Sequence, residues 1–86
     1  MRTSVLYEAT DLTTRAALAA AVAQMREYFN EHHLAPPPLP QDVLELVPCS
    51  LSATETQTNA GKIGRLIIAK LDGVVLYESE WTIAPA

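Results

Sequence analysis

Glu31, His32, His33 and Cys49 are the side chains of this sequence best suited to metal or nucleophilic chemistry. A thiolate, two imidazoles and a carboxylate are all capable zinc ligands, provided that their spacing lets them converge. No Cys-x-x-Cys or His-x-x-x-His separation occurs in the chain, and adjacent histidines at a helix end point in different directions. Their simpler use is to face the negative end of a helix dipole. Cys49 would act as a nucleophile only with a histidine in contact and an oxyanion donor beside it, which nothing in the spacing requires. A lone cysteine between a proline and a polar strand reads instead as a small buried filler.

Three further patterns have a plainer use. Gly61-Lys62-Ile63-Gly64 lacks the Ser or Thr, the preceding strand and the following helix of a phosphate-binding loop, so it reads as a turn opening a strand. Pro37-x-x-Pro40 is the minimal frame of a polyproline-groove ligand, but no Arg or Lys flanks it, and a rigid connector explains it. Glu78 and Glu80 share one strip of a strand with Arg65 opposite; a solvated cross-strand ion pair suits them better than acid–base catalysis. With no catalytic, metal or cofactor motif, the chain is expected to be no enzyme and to need no cofactor.

Composition narrows the class. Eighty-six residues, 49% hydrophobic and 19% charged, suffice for one domain with one core, so residues 1–86 are expected to fold as a single unit. A net charge of −4, with Arg2, Arg15, Arg26, Lys62, Arg65 and Lys70 scattered, argues against direct nucleic-acid binding. A single cysteine permits no internal disulfide and fits the cytoplasm. Residues 1–8 lack the apolar run of a signal peptide, and the apolar stretch 16–23 is too short to span a bilayer, so no membrane role is expected.

The elements that would position these residues follow from pattern. Residues 4–9 alternate as a short strand, and Thr10 and Asp11 offer N-cap oxygens ahead of a long helix over about 12–32. Leu18, Val22, Met25 and Phe29 form its apolar stripe, widened by Ala21 and Tyr28. The proline-rich segment at about 35–40 ends the helix and connects onward, with a helical turn at 41–46. Residues 50–58, with only Leu51 and Ala53 counted as apolar, read as an edge or exposed strand. A short tail is expected at Ala84-Pro85-Ala86. The resulting fold class is α+β, a three- to four-stranded, mostly antiparallel sheet with one long helix on one face, in β-α-β-β-β order.

Residues 63–71 and 74–83 flank Asp72-Gly73, the strongest short hairpin signal. A two-residue loop pairs Leu71 with Val74, Ile68 with Tyr77, Arg65 with Glu80 and Gly64 with Trp81, whose ring would cover the bare glycine backbone. Leu66, Ile68, Val75, Tyr77, Trp81 and Ile83 then face the helix. The other face shows Ile63, Ile67, Ala69, Leu71, Val74 and Leu76, too apolar for open water unless residues 39–47 fold over it.

The expected function is a small non-enzymatic protein–protein interaction module, an adaptor, regulator or inhibitor acting through a sheet face or edge, as a homodimer. Its partner is unidentified, and its interface is Ile67, Ala69, Leu71, Val74 and Leu76, so that Leu76→Glu should abolish self-association without unfolding. One alternative is a phage or mobile-element inhibitor of a host nucleoprotein complex, with Glu27, Glu31, Asp42 and Glu45 imitating phosphates. Another is a ligand-binding protein or enzyme with a pocket between helix and sheet, lined by Tyr7, Tyr28, Tyr77 and Trp81 with His32 or His33 at its rim.

Overall fold

The structure, a computed structural model, describes residues 2–83. The tail expected at Ala84-Pro85-Ala86 lies outside the described residues. In chain order the elements are β1 (Arg2–Leu12), α1 (Arg15–Glu31), a short 3-10 helix (Val43–Leu46), β2 (Cys49–Thr58), β3 (Gly61–Ala69) and β4 (Val75–Ile83). The strands form one sheet in the order β1-β2-β3-β4, every neighbour antiparallel, and α1 packs on one face of it. No described helix is long and apolar enough to cross a membrane.

α1 starts later than its cap residues suggested. Thr14, not Thr10 or Asp11, is the N-cap, and its hydroxyl accepts from the Ala17 N–H at 3.1 Å. Thr10 and Asp11 are held in β1 because that strand runs on until Leu12 pairs with Cys49. A bulge between Ala9 and Leu12, with Asp11 at φ 55°, turns Leu12 into the core; Asp is among the few residues that adopt this conformation readily. The helix stripe is as the spacing requires: Leu18, Ala21, Val22, Met25 and Phe29 are its buried residues.

These side chains pack on Leu51 and Ala53 of β2 and on Leu66 and Ile68 of β3, with Leu12 and Cys49 completing the core. β2 is therefore not the edge strand its composition suggested; it lies between β1 and β3. Its odd positions Cys49, Leu51 and Ala53 are buried, while Ser50, Ser52, Thr54, Thr56 and Thr58 share the other face. The small odd-numbered residues let the helix approach the centre of the sheet.

The β3–β4 hairpin keeps the expected pairs Ile68↔Tyr77, Arg65↔Glu80 and Gly64↔Trp81, but by a different route. The expected Leu71↔Val74 pair does not form. Lys70 is the closing residue: its N–H donates to Val74 O at 2.8 Å and its carbonyl accepts from Gly73 N–H at 2.9 Å, with Gly73 at φ +95°. Leu71, Asp72 and Gly73 thus make a three-residue loop in which only the glycine meets the left-handed position at no steric cost. Ala69 then pairs with Val75, and a bulge before Tyr77 restores the outer register. Val75, expected to face the helix, lies beside Ala69 on the opposite face. Leu76, expected on that face, instead borders a depression with Leu46, Val47 and Pro48.

The middle of the chain seals the helix side. Tyr77 Oη and Ser79 Oγ, both on the inner face of β4, donate to Pro38 O at 3.2 and 3.4 Å. Leu39, Val43, Leu44, Leu46 and Val47 pack against the core from that side. Residues 39–47 therefore do not cover the outer face of the sheet.

Gly64 is buried beneath Trp81, and a Cβ there would collide with Cε2 of the indole, whose ring centroid lies 6.2 Å from that of Phe29. Gly64→Ala should displace the ring and destabilise the protein by about 1–3 kcal/mol, typical of overpacking. Urea unfolding followed by tryptophan fluorescence checks this: the midpoint should fall with an unchanged slope.

Candidate functional site: the open face of the sheet

A four-stranded sheet with its helix and connector on one side leaves the other side bare among the described residues. Two kinds of surface make up that outer face. A hydroxyl stripe runs down β2 through Ser50, Ser52, Thr54, Thr56 and Thr58, extended onto β1 where Thr3 and Thr56 hydroxyls meet at 3.0 Å. Beside it, at the turn end of β3 and β4, lie Ile67, Ala69 and Val75, with Val74 and Leu71 at the tip. Val75, Leu71 and Val74 are 50%, 51% and 54% exposed, whereas Ile67 and Ala69 are half-buried by their neighbours. Of the five expected interface residues, Ile67 and Ala69 lie on the outer face; Leu71 and Val74 sit at the exposed hairpin tip, where Leu71 also lines the depression on the helix side, Leu76 leaves the set and Val75 joins it because of the bulge.

Arg65 holds the centre of this face. Its guanidinium donates to Glu78 Oε1 from Nη2 at 2.6 Å and from Nε at 3.2 Å, and stands 3.7 Å from Glu80. The diagonal carboxylate, not the directly paired Glu80, is its main partner, since a long side chain reaches the diagonal neighbour easily. All three groups are well exposed, so the cluster orders the face more than it stabilises the fold.

The sheet edges are poor docking sites by comparison. β1 is broken by bulges between Val5 and Tyr7 and between Ala9 and Leu12, and a bulged edge does not template another strand well. β4 carries Glu78 and Glu80, so antiparallel pairing of two β4 strands about Ser79 would bring four carboxylates together. The Ser/Thr strand expected to offer a free edge has both edges paired.

The other chemically suggestive residues do not converge. His32 is the C-cap of α1; its ring lies 2.9 Å through Nδ1 from Tyr28 O and stacks on Tyr28 at 4.0 Å, and His33 follows at φ 56°. Cys49 is buried near the opposite end of that 17-residue helix, on the order of 25 Å away at 1.5 Å per residue. Tyr7 belongs to β1 and Tyr77 to β4, the two edges of the sheet, so they share no pocket. Tyr7 Oη donates to Gln24 Oε1 at 2.9 Å, and the cleft beside Trp81 holds His33, Leu34 and Ala35 but no tyrosine. Glu45, one of the four carboxylates expected to imitate phosphates, is paired with Arg15 at 2.5 Å. Gly61 carries φ +123° in the β2–β3 turn, and the Thr58 hydroxyl donates to its carbonyl at 2.8 Å.

Compared with family models, with curated proteins and with solved structures, the chain gives no match.

Burial raises the Cys49 thiol above its ordinary value of 9.0. The unfolded chain then ionises this thiol first, so its contribution to stability is intact below that value and is lost as pH rises through the folded pKa. Alkaline urea titrations should show stability falling with pH, and less steeply in Cys49→Ala. At about pH 8 an aromatic disulfide reagent should label the thiol only as fast as the protein opens.

Proposed function

We propose that this protein is a non-enzymatic interaction module, an adaptor, regulator or inhibitor, that works through the open outer face of its sheet and first of all binds a second copy of itself. One observation carries the reading: residues 34–47, the long connector among the described residues, fold onto the helix side and leave Ile67, Ala69 and Val75 uncovered by it. Exposed apolar patches rimmed by polar groups mark interfaces.

A second copy suits the face better than an unrelated strand. Arg65 beside Glu78 and Glu80 is self-complementary: a two-fold axis passing between the guanidinium and the carboxylates, and not through Arg65 itself, sets the cation of one copy against the carboxylates of the other. Four strands about 4.8 Å apart and some nine residues long span roughly 20 by 30 Å, on the order of 600 Å². That is below the about 800 Å² per partner of a standard interface, so the dimer should be reversible and concentration-dependent.

Light scattering behind size-exclusion chromatography tests this over a concentration series. The expected mass rises towards twice that of the monomer. Ile67→Glu and Val75→Glu should each weaken association about thirtyfold or more, as loss of a 2 kcal/mol hot spot would, with the far-ultraviolet circular dichroism unchanged. Leu76→Glu, on the other side of the hairpin, should leave the dimer in place. A monomer at every concentration would sink the reading.

A further inference from the structure

Another surface with the makings of a site lies on the helix side of the β3–β4 loop. A depression of about 580 Å³ opens there, walled by Leu46, Val47 and Pro48 from the segment entering β2 and by Leu71 and Leu76 from the hairpin. Pockets that hold small molecules typically measure about 300–1,000 Å³ and are lined mostly by apolar side chains with a few polar groups. The polar groups here are Glu45, Lys70 and Asp72.

Two of the three are already engaged. Glu45 is paired with Arg15, and Asp72 Oδ1 accepts the Val74 N–H at 3.1 Å, holding the loop. Lys70 uses its backbone to close the hairpin, but its ammonium pairs with no carboxylate among the described residues, whereas the charged groups of Arg15, Lys62 and Arg65 do. An apolar wall beside one uncommitted cation has a defined complement: an apolar body carrying one negative charge.

We propose that this depression binds a small amphiphilic monoanion, a medium-length apolar chain ending in a carboxylate. The chain lies against Leu46, Val47 and Leu76, and the carboxylate meets the Lys70 ammonium at the rim. A polyanion is disfavoured, because Asp72 and Glu45 stand beside the single cation. The site is separate from the outer face, so it does not depend on self-association.

Decanoate is the probe, titrated into the full chain by calorimetry and by amide chemical-shift mapping. Saturable one-to-one binding with shifts centred on Leu46, Val47, Leu71 and Leu76 is expected. Lys70→Gln should weaken it about five- to tenfold and Lys70→Arg should retain it, as expected for a partly exposed charge-assisted contact. Lys70 is exposed and unpaired, so both variants should fold, and Val75→Glu should bind decanoate as the unmodified protein does. The proposal is overturned if decanol or decyltrimethylammonium binds as well as decanoate. It is equally overturned if the shifts map to another surface, if Lys70→Gln binds unchanged, or if only peptides with a free apolar C-terminus are bound.

Discussion

A single helix has to seal one face of a four-stranded sheet, and the rest of the molecule follows from how that contact is made. Leu18, Val22, Met25 and Phe29 meet Leu51, Ala53, Leu66 and Ile68 at the centre of the sheet. Close approach there depends on small groups: Ala21 on the helix, Ala53 and Cys49 on β2, and Gly64 under the indole of Trp81. A helix of 17 residues, with side chains about 10–12 Å across, reaches β4 where Phe29 meets Trp81 but cannot shield the rest of that strand. The proline-rich connector does that, pinned by Tyr77 and Ser79 to Pro38 O. Having been used on the helix side, it has no length left for the outer face. The open face is thus a consequence of core sealing, not a separate feature.

How much of this was legible in the residues depends on whether the pattern was local. The helix stripe and the hairpin could be read because their signals sit within a few positions of one another: the four-three-four spacing of Leu18, Val22, Met25 and Phe29, and Asp72-Gly73 between two β-branched runs. The place of β2 was harder, yet its signal was present. Counting Cys49 as apolar gives buried residues at 49, 51 and 53 with hydroxyls between, the alternation of a strand with one buried face. Overall polarity masked that period, because the outward residues of a central strand can be polar whenever one sheet face is open. What no local pattern supplied was the Leu12↔Cys49 pairing, a long-range contact that holds Thr10 and Asp11 in β1 and hands the cap to Thr14.

The hairpin shows how two local errors can cancel over distance. A two-residue loop and a three-residue loop with a compensating bulge give the same pairing from Ile68↔Tyr77 outwards. They differ only for Val75 and Leu76, whose faces are exchanged. Since side chains alternate with period two, one inserted residue flips every neighbour between it and the next correction. The candidate interface was therefore legible except at the residues nearest the turn, where turn geometry and not strand pattern decides which face a side chain takes.

That exchange places one loop between two surfaces. Val75 lies on the outer face, while Lys70, Leu71 and Leu76 border the depression on the helix side, and Asp72 and Gly73 fix the bend between them. The loop is held by its own backbone contacts, the Lys70–Val74 and Lys70–Gly73 hydrogen bonds, so it is a stiff wall shared by both. A stiff wall lets each surface keep its shape without ordering cost when it is occupied, which favours binding over a floppy loop of the same composition. It also means that the depression and the outer face can be altered separately only by side chains, not by loop length. A residue inserted between Leu71 and Gly73 would disturb the closing pairs and, through the bulge, the faces of Val75 and Leu76 together.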